Sequence, residues 1–266
     1  MAVETQREAR ARSDVAVSVR DLWAGYDGTP ALEAITLDLP AGVLVGLAGP
    51  NGSGKSTLLK VILGLLKPWR GSIEVFGQAL NGQRRRIGYA PQAELVDWDF
   101  PATVQDVVMM GRYGRIGLLR RPKATDRAAV ASALAQVGLT ALASRQIGEL
   151  SGGQQRRMLI ARALAQEADL LLLDEPMVGL DATTQHDLLA LFEKLRNAGK
   201  TLLVATHDLS CVAACFDLAI LLNRKLIAVG PPNEVFTPEI LSEAFAGHLL
   251  LLPTEGGVYV GHHAHG

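Results

Sequence analysis

Val15, Val17 and Val19 alternate with Ala16, Ser18 and Arg20, and Ile35, Leu37 and Leu39 repeat the alternation against Thr36 and Asp38. A period of two over such runs predicts half-buried strands. "VLVGLA" (43–48) is a short apolar run that opens into a glycine-rich stretch, and the spacing of "KSTLLKVILGLL" (55–66) then predicts a helix. Strands are expected again at "SIEVF" (72–76) and "RRIGYAPQ" (85–92). From about 93 to 165 the pattern turns helical, as in "TVQDVVMMGR" (103–112) and "TDRAAVASALAQVG" (125–138), where Gly138 is a natural stop. Alternation resumes with "DLLLLDE" (169–175), a helix over 183–197, "TLLVATHD" (201–208) and a last pair of strands near 217–229. Unbroken leucine runs suit parallel strands covered on both faces. The pattern predicts an α/β core with an inserted helical lobe at about 93–165, and it shows no internal repeat.

Composition narrows the picture. The 266 residues are 48% apolar and 20% charged, a globular balance, and the net charge of -1 offers no global basic field for nucleic acid or an anionic membrane. Residues 1–14 are polar, read as flexible, and contain no apolar core of a secretory signal. No run approaches the roughly 20 apolar residues that span a bilayer, so a cytoplasmic setting is expected. The 2 cysteines, Cys211 and Cys215, stand one helical turn apart. They read as small buried thiols, because no His, Asp or Glu completes a metal set at ligand spacing.

Three segments carry chemistry. Gly49-Pro50-Asn51-Gly52-Ser53-Gly54-Lys55-Ser56, followed by Thr57, satisfies G-x-x-x-x-G-K-[ST] between a predicted strand and a predicted helix. Glycines let backbone N–H groups turn inward around phosphates, and the helix start adds its positive end. Lys55 is then placed for the β- and γ-phosphates of ATP and the Ser56 hydroxyl for Mg²⁺. "LLLLDEP" (170–176) is an apolar strand ending on two carboxylates. Asp174 is positioned to hold Mg²⁺ and Glu175 to polarise an attacking water as general base. In "LSGGQ" (150–154), Ser151 and Gln154 have capping-box spacing. Gly152 and Gly153 make a poor first turn unless a phosphate approaches closely.

These three segments together, in the order they take along the chain, resemble the ATP-binding cassette (ABC) ATPases, and the resemblance covers nearly the whole chain. It implies a P-loop α/β fold: a mostly parallel core sheet, an N-terminal antiparallel β region and an inserted α-helical subdomain. The cassette domain would occupy 15–247, with 248–266 as a C-terminal tail. The resemblance also implies roles that single residues would not suggest. Gln92 matches the Q-loop glutamine near Mg²⁺ or the attacking water, and His207 matches the switch histidine at the γ-phosphate. Asp181 matches the D-loop aspartate, and Tyr26 in "AGYDG" matches the aromatic that stacks on adenine. Ser151, Gly152, Gly153 and Gln154 would serve the ATP held by a second cassette, so the chain would work as a dimer, a homodimer in the simplest case.

Such a cassette, peripheral at the cytoplasmic face of the membrane, drives a separate permease. Non-transport ABC proteins of ribosomes usually fuse two cassettes, and those of DNA repair carry a long coiled coil that finds no place here. A small-molecule P-loop kinase would leave LSGGQ, Gln92 and His207 unexplained. "AELVDWDFPATVQDVVMMGRYGRIGLLRRP" (93–122) places Met109 and Met110 on a helix suited to docking a partner. This wording and "DEPMVGLD" (174–181) are similar to the ATPases of bacterial manganese, zinc and iron importers, which also use an extracellular binding protein. ATPases of haem and iron-siderophore importers are near neighbours. In the tail, His262, His263 and His265 are potential metal ligands, but a flexible exposed end is the simpler reading.

Overall fold

The computed structural model describes residues 14–80, 83–117, 120–245, 249–254 and 257–262, the last two stretches as backbone only. The strands are β1 (Val15–Tyr26), β2 (Thr29–Pro40), β3 (Leu44–Ala48), β4 (Arg70–Val75), β5 (Gln78–Ala79), β6 (Ile87–Ala90), β7 (Leu170–Asp174), β8 (Thr201–Ala205), β9 (Leu218–Asn223), β10 (Lys225–Gly230), β11 (Leu249–Thr254) and β12 (Gly257–His262). The helices are α1 (Lys55–Ile62), α2 (Val104–Met110), α3 (Tyr113–Ile116), α4 (Ala124–Gln136), α5 (Gly152–Ala165), α6 (Ala182–Asn197), α7 (Leu209–Cys215), α8 (Pro232–Val235) and α9 (Pro238–Phe245). The chain forms two compact units, one of residues 1–81 with 203–266 and one of residues 82–202.

In the first unit, β2, β1, β4 and β5 form an antiparallel sheet in that order. Val17 faces Leu39 on one side and Val75 on the other. Ile35, Leu37 and Leu39 are buried while Thr36 and Asp38 are exposed, so the alternation is a true inside–outside pattern. β3 runs parallel to β9, with Leu47 opposite Ile220, and β9 pairs antiparallel with β10. All five residues of β3 are buried, which accounts for its unbroken apolar run. Asp217 ties the start of β3 in place: its carboxylate accepts from the Leu44 N–H at 2.8 Å, and its own N–H donates to the Leu44 carbonyl at 3.0 Å.

In the second unit, β6 runs parallel to β7 with Tyr89 opposite Leu172. Helices α2, α4 and α5 pack on one another, and α5 also lies against β6. The approach there is close: a Cβ on Gly88 would stand 2.9 Å from the Ala163 carbonyl oxygen. Arg112 is buried beside these helices. Its guanidinium donates to Asp126 at 3.1 Å, to Glu167 at 2.6 Å and to the Ala165 carbonyl at 2.8 Å. A buried cation is tolerable because it is paired and hydrogen-bonded in this way.

One expectation is corrected. Cys215 is exposed and Cys211 only partly buried, because α7 is short and Cys215 is its last residue, open to solvent. Within the expected C-terminal tail, β11 pairs with β12 as a hairpin in which Leu251 faces Val260. Its "LLLL" run, glycine pair and "VYV" alternation are strand–turn–strand signals. The side chain of His262 lies outside the described residues, as do residues 1–13, His263 and His265.

Candidate active site

β3 delivers the chain into the loop 49–54, and α1 carries it away. Gly54 caps α1 in a left-handed conformation, φ 99, and a Cβ there would stand 2.6 Å from the Ala31 carbonyl oxygen. Gly49 is as tightly placed, its missing Cβ falling 2.1 Å from the Leu222 carbonyl oxygen. Glycine is therefore demanded at both ends of the turn by backbone on the far side. The Lys55 ammonium curls back over the loop, donating to the carbonyls of Gly49 at 2.8 Å and Pro50 at 3.0 Å. Ser53, Lys55 and Thr57 are buried polar residues, Ser56 is half-buried, and Asn51 and Gly52 are exposed at the tip. The buried Ser53 hydroxyl has no hydrogen-bond partner. A buried cation, an orphaned hydroxyl and a helix start, gathered in one glycine-shaped loop, fit a polyphosphate.

Two further expected residues stand in this unit. The Thr206 N–H donates to the Leu47 carbonyl at 3.1 Å, which sets the end of β8 beside the strand feeding the loop. Thr206 Oγ1 then accepts from the Asp208 N–H at 3.1 Å, and Asp208 caps α7 by accepting from the Cys211 N–H at 2.9 Å. His207 lies exposed between these two anchors. Burial, with Asp208 and Cys215 adding to it, pushes the Cys211 thiol up to about 12. Tyr26, at the end of β1, is 45% exposed, enough to offer a ring face. The Lys60 ammonium of α1 sits 5.8 Å from its centroid, within range of a cation–π contact.

The acidic residues belong to the second unit. Asp174 is buried at the end of β7. Its Oδ1 lies 3.5 Å from Gln92 Nε2 and its Oδ2 3.5 Å from the Tyr89 hydroxyl. Burial first, then the Asp174 charge, raises the Tyr89 phenol to about 12, so it remains a donor. Glu175 adopts φ 53, a left-handed conformation that a residue with a Cβ rarely takes and that costs on the order of 1–3 kcal/mol. Pro176 and Met177 are buried directly behind it.

The same unit holds the remaining pair. Ser151 caps α5 and Gln154 caps back, a complete capping box. Asp181 caps α6: its Oδ1 accepts from the Thr184 N–H at 2.9 Å and its Oδ2 from the Thr184 hydroxyl at 2.7 Å. Those hydrogen bonds hold the Asp181 carboxyl below its usual value. The two caps are neighbours, since a Cβ on Gly153 would meet Thr184 Cγ2 at 2.9 Å. Sequence reasoning overlooked Arg156, which links this region to the segment after Gln92: it donates to the Gly152 carbonyl at 3.3 Å and pairs with Glu94 at 3.2 Å. Lys60 and Tyr89 were also overlooked, since their partners lie on distant parts of the chain.

Comparison with known proteins decides the lineage. Residues 32–178 match the family model described as ABC transporter. The chain belongs to the ABC transporter family. The cassette is 48% identical over 236 residues to the manganese transport system ATP-binding protein MntB of Bacillus subtilis, covering 89% of this chain and 94% of the relative. It is 47% identical over 234 residues to the zinc transport system ATP-binding protein TroB of Treponema pallidum, covering 88% of each chain. Among solved structures it resembles an inward-facing putative metal-chelate type ABC transporter, at 33% identity and a TM-score of 0.79, over 93% of this chain and 96% of that one. The cassette is therefore an ATP-binding, ATP-hydrolysing transport subunit with the P-loop ABC fold, and it works with a membrane permease. No helix among the described residues is long and apolar enough to cross a membrane.

Proposed function

We propose that this cassette powers an importer of divalent metal ions, manganese, zinc or iron. The observation that carries this reading is the 48% and 47% identity, over nearly the whole chain, to ATP-binding proteins of manganese and zinc transport systems. The putative metal-chelate transporter at TM-score 0.79 keeps a chelated-iron or haem cargo as the second reading.

The assigned roles follow the geometry within each unit. Gly49 to Thr57 would hold the phosphates of ATP, with Lys55 supplying the positive charge, and Tyr26 would take the adenine on its exposed face. In the second unit Asp174 and Gln92 are suited to hold Mg²⁺, which when bound would neutralise charge on phosphates, and in the first unit Ser56 is assigned the same role by the family motif. Glu175 takes the proton of the attacking water, and its left-handed backbone fixes where the carboxylate points. His207 reaches the terminal phosphate from its place between Thr206 and Asp208. Ser151, Gly152, Gly153 and Gln154 present a capped helix start to the nucleotide of a second cassette, with Asp181 alongside. On this reading two copies close on two ATP molecules and reopen after hydrolysis.

The permease is assigned to the face bearing Met109 and Met110. Met110 is exposed, and Met109 lines a groove of about 430 Å³ with Gln105, Tyr113, Val130 and Leu134. The cassette would sit at the cytoplasmic side of the membrane and serve an extracellular binding protein through the permease. The test is co-purification of the Glu175→Gln chain with ATP from native membranes, with mass spectrometry of its companions. A polytopic permease crosslinked through positions 109 and 110 is expected. Ribosomal or DNA-repair partners without a membrane protein would overturn the reading.

A further inference from the structure

We propose that Tyr89 is a positioning residue for the Asp174 carboxylate, holding it ready for the divalent cation that accompanies ATP. The inference rests on the reading of Asp174 as the cation-holding carboxylate. Nothing in the motifs singles out Tyr89.

β6 and β7 run parallel with Tyr89 opposite Leu172. Side chains two apart on a strand share a face, about 6.6 Å along it, so Leu172, Asp174 and Tyr89 point to the same side of the sheet. A tyrosine is long enough to lean along the strand and bring its hydroxyl to Asp174, and the Tyr89 oxygen lies 3.5 Å from Oδ2. Gln92, two residues past the end of β6, brings Nε2 to 3.5 Å from Oδ1. Tyr89 thus faces one carboxylate oxygen and Gln92 the other, and both are neutral donors. Two neutral donors orient the plane of the carboxylate and bring no charge of their own to it. Contacts of this length are at the outer edge of hydrogen bonding, and such bonds commonly tighten when substrate arrives. Tyr89 is itself anchored: Arg162, on α5, donates to its backbone carbonyl at 3.4 Å.

Tyr89→Phe isolates the hydroxyl, since the ring and its packing remain. Mn²⁺ serves as the probe, its binding to the full chain with ATP read by electron paramagnetic resonance. Loss of a group that orients a metal ligand commonly weakens metal affinity by about tenfold or more. Tyr89→Phe should do the same here while metal-free ATP binding stays at the parental level. In an Asp174→Asn background the same change should cost nothing further, because the two residues would act through one another. Parental Mn²⁺ affinity in Tyr89→Phe, or an equal loss in both backgrounds, would overturn the inference and leave Asp174 its role. Parental Mn²⁺ affinity in Asp174→Asn alone would instead bring down the reading on which the inference stands.

Discussion

The Ser151 N–H donates to Gln154 Oε1 at 3.0 Å, and the Gln154 N–H donates back to Ser151 Oγ at 3.4 Å. Two orphan donors of α5 are thereby satisfied, which explains Ser151 and Gln154 without any ligand. Gly153 has a packing reason too, its missing Cβ falling 2.9 Å from Thr184 Cγ2. Gly152 has neither: a Cβ there would meet only the tip of Arg156, at 3.2 Å.

Gly152→Ala therefore separates folding from function. Alanine is better than glycine in a helix by about 1 kcal/mol, so the melting temperature should hold or rise. ATP hydrolysis should fall on the order of tenfold to a hundredfold if a phosphate approaches this helix start, as for a small misplacement at a reacting centre. Full activity in the alanine variant would mean that the glycine serves no nucleotide.

Glu175→Gln should slow hydrolysis by a factor on the order of 10² or more, as for loss of a general base, with ATP still bound. The φ of 53 adds a second expectation. Glu175→Gly also lacks the carboxylate but fits that backbone without strain, so it should unfold at a higher temperature than Glu175→Gln, by up to about 1 kcal/mol of stability. Parental turnover in Glu175→Gln would move the base elsewhere.

Asp181 gives a pH signature. Hydrogen bonds from Thr184 hold its carboxyl low in the folded chain, so the charged form adds stability above its unfolded value of about 4. That stability is lost as pH falls through the lower folded value. Asp181→Asn keeps a capping oxygen and loses the charge. Its melting temperature should lie below the parental one at neutral pH, with the gap closing as the solution is acidified below the unfolded value. A gap that is constant with pH would show that the charge contributes nothing.

The cysteines should part company in labelling. Cys215 is exposed, whereas Cys211 is half-buried with its thiol raised to about 12, and the thiolate is the reacting species. A maleimide at neutral pH should modify Cys215 well before Cys211, as peptide mapping would show. Equal rates would contradict the burial of Cys211.

The parts of this account readable in the sequence are those written locally. The run 43–48, the loop 49–56 and the helix after it are contiguous, so apolar periodicity and glycine spacing were enough to place them. The two-carboxylate end of β7 and the Ser151–Gln154 box were visible for the same reason. Tyr89 lies 85 residues from Asp174, and their meeting depends on the register of β6 against β7, which no local pattern encodes. The left-handed backbone of Glu175 is equally hidden, since neither Glu nor a following Pro announces it. Cys215 was misjudged because helical spacing gives a shared face but not where a short helix stops.

The most direct test of the central claim is uptake of Mn²⁺, Zn²⁺ and Fe²⁺ by cells whose only copy of this cassette carries Lys55→Ala. The account predicts that accumulation of at least one of these ions collapses while haem and ferric-siderophore uptake continues. Unchanged accumulation of all three ions, with haem or siderophore uptake lost instead, would contradict it.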